Sequence, residues 1–478
     1  MTNNGIYRQV VLCQYYSFDI GLSDKELSGR VFQSLEDNRN IWLARFTGSS
    51  LKDETGQIDD ETLLKSLYRF QNKYLYPEFR VLLKSSHFQL PSFSIKVFDF
   101  DIAVEVVLNC HKSGVGTLMF LFASIPHCSG RNLKALTSIH STSVPIHYSV
   151  HLRDALEKSQ LSTPSESSID DMVVIYLKLL HPDERLVQQN SISLQSKKRN
   201  ILSESRVNMY QFISIEGVGK DEVSVVEYVQ RNRTELIDAA EAYSKYCLPQ
   251  YSVVASRKEE ALVGCFPADS SERKHMVYQM NGMRLLTVSA ISAHPEIYQH
   301  EGRSWYYSYL GIIELVLCQF QAIYLLHGEL QDNLNNNKED LLEMQERAYE
   351  SLHEFQNARI IEHPRARSFM KRLTEYMQIE DYYRVVKERV DLANRIIIER
   401  HNDKEKRRAT HLQLLGVLLT LLLSLQFADN FFEKILRPFC VACGWVPAAD
   451  DYLVKIVIWM SVVIVATAVF LLMRKRQG

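Results

Sequence analysis

Polar side chains recur along one line of the apolar segment LQLLGVLLTLLLSLQF, residues 412–427. At about 100° of helical rotation per residue, the residues of this line fall within about 40° of one another. Lipid gives no reason to group amides and hydroxyls, whereas a helix–helix contact or a water-filled pore does. We therefore expect a pore-lining stripe, with interhelical hydrogen bonding without conduction as the alternative. The stripe consists of Gln413, Val417, Thr420, Ser424 and Phe427.

Acidic and amide side chains follow this segment and would form the outer mouth of such a pore. Repeated around a symmetric assembly, carboxylates raise the local concentration of cations. A solvated loop is the alternative interpretation. The residues are Asp429, Asn430, Glu433, Asp450 and Asp451.

Basic residues flank two apolar segments, which we interpret as transmembrane helices over residues 411–432 and 452–473. Each reaches the roughly 20 residues that a spanning helix needs. The positive-inside rule places both termini on the cytoplasmic side of the plasma (inner) membrane. The block before the first span, which anchors the topology and borders an inner mouth, is Lys404, Lys406, Arg407 and Arg408, and Arg474, Lys475 and Arg476 follow the second.

A third apolar stretch, Trp305 to Leu326, carries Glu314 near its midpoint together with Gln319 and Gln321. These side chains are costly in lipid. We therefore expect a buried helix of the soluble region rather than a third span.

The region before it mixes strand and helix patterns, which indicates an α+β or α/β cytosolic domain. Ser94 to Ser124 predicts two long strands joined by a turn at His111 to Gly114. No N-terminal export signal is evident, so we expect this domain in the cytosol. Further strands are predicted at Met172–Leu180, Asn208–Glu216 and Met283–Ser292, and a helix at Val223–Tyr246.

Beyond residue 303 the pattern is helical, with an antiparallel helical pair followed by one helix from Arg367 to Ala428. Such a helix would be on the order of 90 Å long and would form a stalk running into the bilayer. Its heptad seam indicates either self-association or packing against the preceding helices. The seam residues are Tyr376, Ile379, Tyr383, Val386, Val390, Ala393 and Ile397.

These features divide the chain into nine segments. They are an N-terminal α/β subdomain (1–157), a Ser-rich linker (158–171), a second α/β subdomain (172–302), the helical pair (303–365), the stalk (366–410), the first span (411–432), the outer loop (433–451), the second span (452–473) and a basic tail (474–478).

This layout resembles the CorA family of divalent-cation channels and transporters. The resemblance implies a homopentamer whose first span lines the pore and whose cytosolic domain controls the gate, with a divalent cation as the transported or regulatory ion. The family's Gly-Met-Asn signature is absent, and FADNFFEKILRPFCVACGWVPAADD (residues 427–451) stands in its place. Magnesium selectivity is therefore not predicted.

Two other functions remain open: a membrane effector gated by a nucleotide signal, which would disrupt ion gradients, and a non-conducting membrane-tethered scaffold. The trio Lys197, Lys198 and Arg199 is the candidate phosphate contact for such a ligand. Composition, with a net charge of −2, argues against a nucleic-acid partner. No catalytic residue and no cofactor is predicted, because SIEGVGKDE departs from a Walker A motif at Ser214 and Asp221.

Overall fold

A computed structural model provides the structure of the chain. It describes residues 6–20, 31, 33, 35, 41–47, 50–53, 62–75, 86–97, 100–111, 114–129, 143–180, 207–215, 263–265, 276–281, 284–289, 310–323, 326, 361–362, 364–376, 379–444, 456–457, 459–461 and 464.

Twelve strands form the central sheet, in the order β10-β11-β12-β9-β1-β6-β5-β4-β2-β3, with β7 paired to β4 and β8 to β7. Among the described strands, all pairs are antiparallel except β9 with β12. The strands are β1 (Ile6–Asp19), β2 (Ala44–Thr47), β3 (Ser50–Asp53), β4 (Ser86–Val97), β5 (Phe100–Cys110), β6 (Val115–Ser129), β7 (Val144–Tyr148), β8 (Glu166–Ser167), β9 (Val207–Ile215), β10 (Val263–Cys265), β11 (Met276–Asn281) and β12 (Arg284–Ser289).

The sheet confirms the α+β interpretation in its general form. Strands from both predicted subdomains belong to it, because β1 pairs with β6 on one side and with β9 on the other. The predicted strands at Asn208–Glu216 and Met283–Ser292 are present as β9 and β12. The helix predicted at Val223–Tyr246 lies outside the described residues.

The predicted hairpin of Ser94 to Ser124 is present, with one difference. The turn closes through a hydrogen bond of 2.9 Å from the His111 amide to the Val115 carbonyl. Gly114 adopts a φ of 86°, which glycine allows without steric cost. The first of the two predicted strands is divided, since β4 ends at Val97 and β5 begins at Phe100.

The strand prediction for Met172–Leu180 is wrong, because this run lies in a helix, α3 (Ile169–Leu180). Ser168 and Asp171 form a reciprocal cap: the Asp171 amide donates to Ser168 Oγ at 3.1 Å and the Ser168 amide donates to Asp171 Oδ2 at 3.0 Å. This capping box starts a helix just before the apolar run. The apolar residues then pack as one helical face instead of alternating between two faces of a sheet.

Helices cover both faces of the sheet. One face packs against α2 (Val150–Lys158) and α3, and its core includes Leu12, Leu108 and Phe120. The other face packs against α1 (Leu63–Tyr74), α4 (residues 310–323), α5 (Pro364–Tyr376) and the start of α6 (Ile379–Phe431). The expectation of a buried helix within Trp305 to Leu326 is confirmed over α4, because every residue of α4 is buried.

The helix predicted from Arg367 to Ala428 is two helices, with α5 ending at Tyr376 and α6 beginning at Ile379. In the middle of the predicted seam, Val386 and Val390 are fully buried in the core of the same chain. These two valines therefore pack within one chain, as the alternative interpretation of the seam proposed. The side chains of Tyr376, Ala393 and Ile397 lie outside the described part.

The helix α6 does not end near residue 428. It runs to Phe431, continues as a π-helix over Phe432–Leu436 and then as α7 (Arg437–Ala442). The predicted outer loop is thus helical in its first part, and Gly444, at a φ of 83°, follows the helix end. Of the helices whose residues the structure describes, none has the combined length and apolar character to cross a membrane.

The chain forms two compact units, Met1–Val390 and Asp391–Gly478. The first contains the sheet and its covering helices, and the second contains the rest of α6 together with α7.

Candidate functional site

The predicted stripe lies on α6, and the structure describes part of it. Gln413 and Thr420 are exposed and Val417 is half-buried, while the side chains of Ser424 and Phe427 lie outside the described part. Leucines occupy the remaining circumference. Their exposed fractions are 69% for Leu412, 56% for Leu414, 58% for Leu415, 51% for Leu418, 58% for Leu419 and 59% for Leu423.

Helical geometry separates these leucines from the stripe. At about 100° per residue, the six leucines fall on an arc of about 180°, and the stripe residues fall in the remaining sector. Contiguous exposed apolar surface of this extent marks a contact with lipid or with another protein surface. Over residues 412–423 the helix therefore presents two chemically different faces, one of leucines and one carrying amide and hydroxyl groups. Gln426, nearer the outer end, is exposed on the leucine side.

The hydroxyl of Thr420 is oriented by its own helix. It donates to the Gly416 carbonyl oxygen at 2.8 Å. A serine or threonine that bonds one turn back in this way has used its only donor, so only the oxygen lone pairs remain for other partners. At this position the stripe thus offers an acceptor, the type of group that coordinates cations.

The charged groups at the two ends of the segment lie on helices. Asn430 and Glu433 are exposed, and Asn430 Nδ2 donates to the Gln426 carbonyl at 3.0 Å. Asp429 belongs to α6, but its side chain lies outside the described part. Asp450 and Asp451 lie outside the described residues altogether. At the other end the four basic residues are all exposed, and their helical positions distribute them around the axis: Lys404, Lys406, Arg407 and Arg408.

The remaining predicted groups are only partly described. Lys197, Lys198 and Arg199 lie outside the described residues. Among the described residues, no group of three or more His, Cys, Asp or Glu side chains is arranged to hold a metal ion.

A second polar site, which the sequence patterns did not reveal, lies beneath α4. Four residues stand in register across four adjacent strands: His87 is opposite Asn109, Asn109 is opposite Thr117, and Thr117 is opposite Ser17. All four are at most 2% exposed. We call these four residues the polar row. It crosses a sheet face that also carries apolar side chains such as Val107, Met119 and Leu121.

The helix α4 places two side chains, one helical turn apart, over the polar row. Glu314 Oε1 accepts hydrogen bonds from His87 Nε2, at 2.8 Å, and from Asn109 Nδ2. Cys318 Sγ lies 3.8 Å from Asn109 Nδ2 and 3.5 Å from Thr117 Oγ1. The His87 ring also stacks on Phe46, with centroids 4.3 Å apart. Each end of the Glu314–His87 contact is therefore held by a further neighbour.

Burial determines the protonation states around this site. Burial, and to a lesser extent the nearby Glu314, raises the pKa of the Cys318 thiol to about 12. Burial, followed by the charge of His87, lowers the pKa of His111 to about 4. At neutral pH the thiol stays protonated, which makes it a poor nucleophile, and His111 stays uncharged. These properties suit a role in holding α4 on the sheet.

Comparisons with protein-family models, curated proteins and solved structures found no match.

Proposed function

We propose that the chain forms a homo-oligomeric membrane channel or transporter for cations, with the α6 stripe facing the ion pathway and the N-terminal sheet domain controlling its opening. The observation that carries this proposal is the division of residues 412–423 into an exposed leucine arc and a polar sector. In a symmetric membrane oligomer, such a helix can direct its leucines to lipid or to neighbouring helices and its polar sector to the central axis of the assembly.

Three further features support the proposal. The basic block before the stripe matches a cytoplasmic anchor. The Thr420 hydroxyl presents acceptor lone pairs, which suit cations rather than anions. The layout of the chain also resembles the CorA family, although the Gly-Met-Asn signature is missing, and we therefore do not propose selectivity for magnesium.

Flux into proteoliposomes tests the proposal. Replacing Thr420 by Leu would add an apolar ring to the ion pathway, which promotes dewetting and should reduce cation flux by about tenfold or more. The control is Leu415→Thr, about 140° away around the helix from Thr420. Its added hydroxyl can bond to its own helix in the same way, so flux should change little.

Both variants must retain the oligomeric mass of the unmodified protein. Unchanged flux in Thr420→Leu, or equal loss in both variants, would contradict the assignment of the ion pathway. Absence of flux in the unmodified protein, with oligomeric mass retained, would favour the scaffold alternative.

A further inference from the structure

The contacts beneath α4 combine hydrogen bonds with buried polar atoms that have no described partner. Two buried atoms of the polar row, His87 Nδ1 and Asn109 Oδ1, have no hydrogen-bond partner among the described residues, and neither does Gln321 Nε2 of α4. A buried polar atom without a partner loses its water and gains nothing in return. Separation of α4 from the sheet would rehydrate all three atoms.

The buried carboxylate adds to this effect. Glu314 is 2% exposed, and removing a charge from water offsets much of the attraction that it gains from its partners. An interface built on such a group contributes less net stability than an apolar interface of the same area. On the opposite face of the sheet, α3 packs through Met172, Val173 and Leu177.

The two ends of α4 are held differently. Near its start, Tyr15 Oη donates to the Leu310 carbonyl at 3.2 Å, and Gly311 lies directly against the Phe70 ring of α1. Farther along, Glu314 and Cys318 contact the polar row. The start of α4 is thus anchored by close packing, and its middle combines the polar contacts with apolar packing by residues such as Val316 and Leu317.

One aromatic contact joins α4 to α6. The Phe320 ring meets the Tyr382 ring edge to face, with centroids 5.6 Å apart and planes at 88°. Tyr382 is in the first turn of α6, the helix that carries the stripe. Both rings belong to the first compact unit, so displacement of α4 would act directly on the start of α6.

We propose that α4 is a releasable helix: it pivots about Leu310, separates from the polar row while the rest of the sheet domain stays folded, and carries Phe320 away from Tyr382. The effect of α4 release on ion flux rests on the proposed function, whereas the release itself is independent of that function. Local opening below the free energy of global unfolding is typical of elements that move in regulation.

Two buried cysteines allow a direct test with the full-length protein in detergent. Cys318 is on the side of α4 that faces the polar row, and Cys110 is fully buried in the core of the opposite sheet face. The protein is treated with a pyridyl disulfide reagent, and labelling at each cysteine is followed by mass spectrometry. Each rate is divided by the rate of the same cysteine in denaturant at the same pH, which cancels differences in thiol reactivity.

We expect Cys318 to be labelled about tenfold or more faster than Cys110 on this normalised scale, because release exposes Cys318 and leaves Cys110 buried. Glu314→Ala should raise the labelling rate of Cys318 by about tenfold or more, because it removes the acceptor of both hydrogen bonds that hold α4 on the polar row. Glu314→Gln, which preserves shape and keeps an acceptor, should leave the Cys318 rate within about threefold of the unmodified protein. Circular dichroism spectra at the labelling temperature show that each variant is folded.

Equal normalised rates for Cys318 and Cys110 in the unmodified protein would overturn the proposal, since α4 would then open only when the whole domain unfolds. A Cys318 labelling rate that does not rise in Glu314→Ala would also overturn it. Faster labelling of Cys318 in a protein that shows no cation flux would support release and contradict the proposed channel, so the two failures are distinguishable.

Discussion

Glu314 and His87 meet in the core although they are 227 residues apart in sequence, with the Glu314 carboxylate 2.8 Å from His87 Nε2 and both side chains at most 3% exposed. Breaking a buried pair by removing one partner leaves the other without compensation and costs about 3–5 kcal/mol, whereas replacing both is often nearly neutral. This contact therefore allows a quantitative test of how α4 is held.

Glu314→Leu alone and His87→Phe alone should each lower the free energy of unfolding by about 3 kcal/mol. The phenyl ring of His87→Phe preserves the stack on Phe46. The double variant should be more stable than the sum of the single changes predicts. Urea denaturation of all four proteins measures the coupling, and purely additive costs would show that the pair does not act as a unit.

Two helical glycines provide a matched pair of alanine substitutions. A Cβ on Gly311 would lie within the Phe70 ring, whereas a Cβ on Gly416 would meet nothing within 4 Å. Alanine favours a helix over glycine by about 1 kcal/mol. We expect Gly416→Ala to stabilise its helix by about this amount.

In Gly311→Ala the clash should exceed the gain in helix propensity and lower the free energy of unfolding by about 1–3 kcal/mol. Thermal denaturation followed by circular dichroism measures both changes. Stabilisation by Gly311→Ala would contradict the close packing of α4 on α1.

The carboxyl group of Asp170, in the first turn of α3, should make folding stability depend on pH. Burial, and next the charge of Asp171, raises its pKa from 3.8 to about 7. Because the folded state holds this proton more tightly, the free energy of unfolding should fall as pH rises from 4 to 7.

Asp170→Asn should remove this loss and stabilise the protein at pH 8 by about 2 kcal/mol, after allowance for the partial exposure of the carboxyl group. At pH 4 the variant should match the unmodified protein. Asp154→Asn, on the exposed side of α2, leaves Asp170 in place and is the control, so it should keep the pH dependence of the unmodified protein. Urea unfolding at both pH values is the measurement.

Self-association through α6 is tested at Leu392, which is 51% exposed. Leu392→Asp should lower the oligomeric mass in detergent without lowering the melting temperature, because a charge replaces an apolar contact between chains. Lys387→Asp, at another exposed position of α6, controls for the added charge. A retained native mass in Leu392→Asp would exclude this residue from the interface.

Val386→Asp should behave differently from Leu392→Asp. It places a carboxylate in the intramolecular core, and we expect a loss of folding stability of several kcal/mol whether or not the chain assembles. Comparison of circular dichroism melting curves with native mass separates the two effects. Loss of assembly without destabilisation in this variant would restore Val386 to the predicted seam between chains.

Membrane topology is tested by reporters of sidedness. A reporter after Gln477 and another near Ala448 should lie on opposite sides of the membrane, with the C-terminal tail inside. If both reporters lie on the same side, the predicted hairpin is wrong. Reporters on both sides of residues 310–323 should lie in the cytosol, because α4 packs within the sheet domain.

Sequence alone determined the features that depend on local pattern. The hairpin around Gly114, the strands β9 and β12 and the burial of α4 follow from apolar runs, turn residues and the high cost of Glu314 in lipid. The apolar run at Met172–Leu180 was ambiguous, because a short run of this kind suits a buried strand or a buried helix. The capping box at Ser168 and Asp171 was the local signal that would have identified the helix.

Only the tertiary structure decided which polar residues meet. The polar row depends on the register of four strands, and shifting any one strand by a single residue would turn its member to the opposite face of the sheet. Glu314 was recognised as costly, but its partner on β4 could not be inferred, since pairing over 227 residues is set by how α4 packs and not by local spacing. For the same reason, packing alone decided that Val386 and Val390 fill the core of one chain.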